Sequence, residues 1–349
     1  MTMRSAVATL CFALAAASVQ AQNIPAARMS VLLAESRRAP DARDLLTLRN
    51  GIRNGDSETA RIAVRALGRL GRPALVRDIA PALRLSLPEL RAEAATAIAS
   101  AVNGTATAAV KSANVTLALT TLSARLDIEN EPVVRAAILE ALATIPFVEV
   151  GQVNQVEAAL ARFGRSEFIA ERLSVARGFE ALARLNRSRW TPSAATIDLL
   201  RELAGISVPV DGAAAVESAQ LLQRDVRVRR LAVEALTEAA AIDETLLRQA
   251  SVDSDPQVRR LALRAVPTLG FDDAAAAAAL RSGLADTQSM VRIEALRIGA
   301  ARSGAGCQDF IASATDPSLP VALTAIDLLA QCTEPGGIDV LSEIAEALP

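Results

Sequence analysis

The sequence predicts an all-α chain, a superhelical solenoid of about eight helical hairpins stacked in order. Three observations predict it: a short pattern returns at a nearly fixed interval, the apolar residues inside each copy follow the period of a helix, and small apolar residues replace aromatics throughout. The pattern is plainest in Asp253-Ser-Asp-Pro-Gln-Val-Arg-Arg-Leu-Ala-Leu-Arg-Ala-Val266. An acid and a proline open a helix, and Val258, Ala262, Ala265 and Val266 fall on one apolar stripe. A single helix cannot bury that stripe, so copies must pack on one another.

Each copy is numbered here from the first apolar residue of the second helix of its hairpin. Small or apolar residues then recur at 0, +4, +7 and +8, within one narrow sector of a helix. Clear copies start at Leu90, Val134, Val228, Val258 and Val291, and weaker ones at Thr59, Ser174 and Val321. The last four starts are 30, 33 and 30 residues apart, enough for two helices and two turns. Composition agrees. The chain of 349 residues is 51% hydrophobic but only 2% aromatic, with one Trp and no Tyr, so Ala and Leu must fill the core. Ala, Leu, Arg and Glu are strong helix formers. Little strand is expected.

Charge and residue usage exclude several functions. A formal net charge of −2 provides no general positive field for a nucleic-acid backbone. Lys111 is the only lysine, a bias that fits codon usage better than phosphate recognition. The absence of histidine rules out Ser-His and Cys-His nucleophile pairs and removes the commonest metal ligand. No cofactor or metal is expected. A hydrolase working through two carboxylates would need them to converge in one pocket, whereas the periodic acids are spread one per repeat.

Taken in order, residues 1–21 read as a secretory signal peptide. Arg4 gives the basic start, an apolar run extends from Ala6 to Val19, and Val19 and Ala21 flank a cut before Gln22. The run is too short to span a bilayer, so no membrane insertion is expected after cleavage and the mature protein belongs in the periplasm or outside the cell. Residues 22–40 read as an N-terminal capping helix ending before Pro40. Repeats follow over 41–186 and 226–349, the second set closed by a C-terminal capping helix. Between them, 187–225 reads as an irregular insertion: the starts at Ser174 and Val228 are 54 residues apart. Trp190 sits at this junction, either as a plug between mismatched repeats or as an exposed binding anchor. Cys307 and Cys332 mark the two ends of the last hairpin, which an antiparallel arrangement makes neighbours, so a disulfide is expected between them.

The Asp-x-Asp-Pro-x-Val-Arg-Arg-x-Ala pattern resembles the HEAT repeat family, including the short bacterial HEAT-like repeats of phycobilin lyases. The resemblance covers most of residues 41–349. It implies an α-solenoid and an interaction scaffold, and nothing about tetrapyrrole chemistry. HEAT arrays behind a signal peptide also resemble the amino-terminal part of some secreted cyclophilin-type peptidyl-prolyl isomerases, which implies an accessory arm that holds client chains. No strand-rich cyclophilin segment is visible.

Two sets of charges are candidates for work. The +1 arginines, Arg91, Arg135, Arg229, Arg259 and Arg292, are expected to pair with acids of adjacent repeats such as Glu129, Asp253, Asp286 and Asp316, forming a structural ladder. Near +6, opposite the core stripe, the column reads Arg65, Thr96, Glu140, Glu180, Glu234, Arg264, Arg297 and Asp327, with Arg230 and Arg260 at +2 in the later half. Its signs are sorted, with acids in the centre and arginines beside them. Either it is a solvated face or it is a concave wall on which a protein or extended peptide lies, basic part against the three glutamates.

Overall fold

A computed structural model describes residues 24–37, 40–103, 112–205, 225–301, 307–331 and 335–347. Among them every regular element is helical. Helix α1 (Ala26–Ser36) packs on α2 (Ala42–Asn54) and α3 (Ser57–Arg69). The next first helix is broken: a 3-10 turn at Pro73–Leu75, the short α4 (Val76–Ile79) and a second 3-10 segment at Ala80–Arg84 precede α5 (Pro88–Asn103). Then α6 (Ser112–Leu126) pairs with α7 (Pro132–Ala143), α8 (Val150–Phe163) with α9 (Ile169–Leu185), and α10 (Ala194–Leu203) with α11 (Val226–Glu238). The later half pairs α12 (Glu244–Ala250) with α13 (Pro256–Leu263), which leads into a single turn, α14 (Val266–Leu269). It continues with α15 (Ala274–Leu284) and α16 (Ser289–Ala300), then α17 (Gln308–Ser313) and α18 (Leu319–Leu329), and α19 (Pro335–Ala347) lies against that last pair.

The second helices α3, α5, α7, α9, α11, α13, α16 and α18 each pack on the next and make one continuous layer. The first helices form a looser layer behind it. The repeat pattern supplies this packing: Val134, Ile138, Ala141 and Leu142 are all buried, as are Val258, Ala262, Ala265 and Val266. Small residues set how closely the helices approach. A Cβ on Gly68 of α3 would stand 2.7 Å from Ala97 Cα of α5, so the two backbones meet where only glycine fits. One apolar cluster runs from Val31 to Ala295, and a second, around Leu296, Phe310, Val321 and Leu329, closes the carboxyl end.

Acids open the helices. Asp41 and Asp44 form a reciprocal capping box on α2, and Asp56, Asp243, Asp255 and Asp273 accept from backbone N–H groups two or three residues ahead. Three local features differ from the sequence reading. The helix that opens at Pro256 ends at Leu263 instead of running through Val266, because Pro267 has no N–H with which to continue it. Helix α10, from the stretch read as an insertion, occupies the first-helix place of the pair completed by α11 and also touches α8 and α9. The first helix of the second pair is replaced by the 3-10 and α4 segments around Pro73 and Pro81. The expected signal peptide, Cys332 and residues 206–224 of the expected insertion lie outside the described residues.

Candidate interaction surface

The arginines just inside six of the eight second helices, α5, α7, α9, α11, α13 and α16, form a ladder along the edge where the hairpins turn. Arg91 donates Nε and Nη2 to Glu129 at 2.8 and 2.9 Å, Arg259 to Asp286 at 2.6 and 2.8 Å, and Arg292 to Asp316 at 2.8 Å through both. Arg135 reaches Glu171 at 2.5 Å and Arg229 reaches Asp253 at 3.0 Å. The sixth rung, Arg172 to Asp225, is absent from the sequence reading. That copy is numbered from Ser174, which puts Val175 at +1, whereas the arginine doing this work lies two residues before the start.

A shared backbone contact identifies these arginines. Nη1 donates to the carbonyl six residues earlier: Leu85 from Arg91, Glu129 from Arg135, Ser166 from Arg172, Asp253 from Arg259 and Asp286 from Arg292. The carboxylates work twice as well. Glu129 accepts from the Asn130 and Glu131 N–H groups, Asp286 from that of Gln288, and Asp316 from that of Ser318. Burial pushes the Glu129 carboxyl up, but Arg91, the Glu131 N–H and Arg125 outweigh it and hold it at about 2. Burial also pushes Asp286 up, and Arg259 with the Gln288 N–H brings it below the usual range; Arg292 does the same for Asp316. These charges are shielded to varying degrees, Arg91, Arg229, Glu129 and Glu171 being buried, and are paired across repeats. They strap repeat to repeat and present no free group to a ligand.

Trp190 is a plug. It is 5% exposed, its ring stacks on Phe179 at 6.3 Å between centroids, and Nε1 donates to Glu157 at 2.9 Å. The other Glu157 oxygen accepts from Ser193 N–H at 2.8 Å and Thr196 hydroxyl at 2.6 Å. Burial pushes the Glu157 carboxyl up, and the donors from Thr196, Ser193 and Trp190 more than offset it. This buried carboxylate ties α8 to the start of α10.

The +6 column is placed along the second-helix layer, but its central acids are not a bare acidic wall. Glu140 carries Arg177 at 2.8 Å and the Ser174 hydroxyl at 2.9 Å, Glu180 carries Arg184 at 2.7 Å, and Glu234 carries Arg264 at 3.6 Å. Arg264 also holds Glu238 at 2.9 Å, and Arg65 stands 3.9 Å from Glu35. Sorting by sign along one column misses Arg177 and Arg184, which come from +3 and +10, and reads Arg264 as a neighbour of Glu234 without showing that the two pair across helices. Thr96, Arg297 and Asp327 are exposed, and among the described residues Arg297 and Asp327 make no ion pair.

Among the described residues the layer holds an arginine-rich hollow, a cleft of about 350 Å³ between α9, α11 and α13. Arg177, Arg227, Arg230 and Arg260 line it, with Leu231 and Leu261 as its apolar part. Glu234 and Gln257 complete the lining. Arg230 is held bidentately by Asp255 at 2.9 and 2.6 Å, and Arg260 by Gln257 at 2.9 Å and Glu294 at 3.2 Å. Behind the wall, a wider groove of about 520 Å³ between α6 and α8 is lined chiefly by Leu119, Ala124, Gln155, Ala158 and the ends of an exposed Asp127–Arg162 pair. Among the described residues no three Cys, Asp or Glu side chains converge to hold a metal, and no helix is long and apolar enough to cross a membrane. Cys307 is buried and disulfide-bonded.

No known family and no curated protein matches the sequence. Solved structures similar to the fold include an engineered protein (17% identity, TM-score 0.41, covering 64% of this chain and 96% of that one). A homology model of the AP-3 complex is similar at 12% identity and TM-score 0.49, over 88% of this chain and 58% of that one. Human deoxyhypusine hydroxylase is similar at 19% identity and TM-score 0.34, over 86% and 98%. At these scores none of them bears on activity. The helical-repeat architecture rests on the packing described above.

Proposed function

We propose that the chain is a non-enzymatic, exported scaffold that holds a protein partner or an extended peptide along the wall of second helices. The supporting observation is the division of its charges: the ladder arginines are largely shielded at the turn edge and bound to one another's repeats, while the middle of the same helices carries the more open column and the cleft. A partner-binding surface of this kind needs polar groups held in register by a rigid support, and the ladder provides that support. A client-holding arm of a secreted peptidyl-prolyl isomerase system would use the same wall.

A photoreactive residue placed at Thr96 or Arg297 on the wall, or at Gln155 on the opposite layer, tests the reading in an envelope fraction. All three are exposed, so the insertions leave the core intact. Covalent adducts are expected from the first two and not the third, and an isomerase among them would select the client-holding version. Adducts from Gln155 alone, or from none of the positions, would overturn the proposal.

A further inference from the structure

We infer that the cleft between α9, α11 and α13 takes an acidic, extended peptide segment whose carboxylates face Arg227 and the arginines around it. The inference rests on the wall being the binding surface and adds the chemistry of what binds. Four of the lining side chains are arginines and one is a glutamate, and Glu234 is already engaged by Arg264. A cationic segment would therefore meet four like charges against a single carboxylate, which itself lies 3.6 Å from Arg264. The acids nearest the cleft are similarly occupied: Asp255 accepts from Arg230 twice and from the Gln257 and Val258 N–H groups.

The arginines keep donors in reserve. A guanidinium has five N–H groups. Ladder arginines such as Arg259 place Nε and Nη2 on a carboxylate and Nη1 on backbone carbonyls. In the cleft, Arg177 is held through Nη1 alone and Arg230 through Nε and Nη2, so each is oriented by its partner and retains further N–H groups. Arg227 is exposed and makes no ion pair among the described residues. Orientation in advance lowers the ordering cost of binding, and Arg is suited to the two oxygens of a carboxylate.

Geometry also specifies the spacing. Packed helices lie about 8–10 Å apart, and an extended chain advances about 3.3 Å per residue. Carboxylates at every third position thus meet arginines of successive helices, while the intervening residues pass Leu231 and Leu261.

The test is fluorescence anisotropy on the full chain with labelled 12-residue peptides: Glu at every third position, the same composition with the Glu residues contiguous, a Gln version and a Lys version. The spaced Glu peptide is expected to bind at least 10-fold more tightly than the Gln and Lys versions and more tightly than the contiguous one. Arg227→Glu should weaken it about 10-fold or more, Arg227→Lys less, and Arg281→Glu on α15 not at all. Tighter binding of the Gln or Lys peptide, indifference to Arg227→Glu, or stronger binding of a 12-nucleotide single strand would overturn the inference while leaving the wall as a binding surface. Failure of every peptide to bind would overturn the inference, and the photoreactive residues at Thr96 and Arg297 decide the wall separately.

Discussion

Replacing Glu129 by Gln removes the charge from the most buried rung while preserving the side chain's size. The Glu129 side chain is 1% exposed and receives Arg91 at 2.8 Å and Arg125 at 2.5 Å. Its carboxyl is held at about 2 in the folded chain against an ordinary 4.5. Because folding lowers this pKa, the stabilisation is complete above 4.5 and is lost as pH falls toward 2, and the difference is worth about 3 kcal/mol at pH 7 and about 1 kcal/mol at pH 3. Glu129→Gln, which does not titrate, should therefore cost about 3 kcal/mol at pH 7 and markedly less at pH 3. Urea unfolding followed by far-ultraviolet dichroism at both pH values reads this, with an unchanged dependence on urea as the sign that the folded surface is the same. An equal loss at both pH values, or none at pH 7, would refute the ladder as an electrostatic strap.

Arg259→Lys should cost about 1.5–3 kcal/mol in the same assay, because one ammonium cannot replace the fork on Asp286 and the bond to the Asp253 carbonyl together. Gly68→Ala should lower the melting temperature although alanine favours helix, since overpacking against the Ala97 backbone costs about 1–3 kcal/mol and the propensity gain is at most about 1. Trp190→Phe should cost about 1–3 kcal/mol by leaving the buried Glu157 oxygen without its donor, read by dichroism, and the wild-type emission of this single tryptophan should be blue-shifted until the array unfolds.

The architecture is legible in the sequence because a solenoid repeats one local problem, and the solution recurs at Leu90, Val134, Val228, Val258 and Val291. The arginine at +1 is visible there for the same reason. So are four of its partners, Glu129, Asp253, Asp286 and Asp316, but Glu171, inside the first turn of its helix, and Asp225, the residue just before its helix, break the five-residue spacing and are fixed only by how the repeats stack. Arg172 escapes because a shift of three residues keeps the same stripe on the helix, so apolar spacing cannot choose between Glu171 and Ser174 as the start. The distance to the carbonyl six residues upstream can, and it is a property of the turn. The column of glutamates is readable as a column, but its neutralisation is not: Arg177 and Arg184 reach it from other rows, and only the stacking brings Arg264, a member of the column, against Glu234. Trp190 is decided by Glu157, a carboxylate 33 residues away that nothing in the local sequence couples to it.

Hydrogen exchange of the full chain, with and without the spaced acidic peptide, tests the central claim most directly. Slowed exchange confined to the second helices around the cleft, in Ile169–Leu185, Val226–Glu238 and Pro256–Leu263, is the predicted result. Protection appearing instead in the first helices, such as Val150–Phe163, would contradict the assignment of the wall as the working surface.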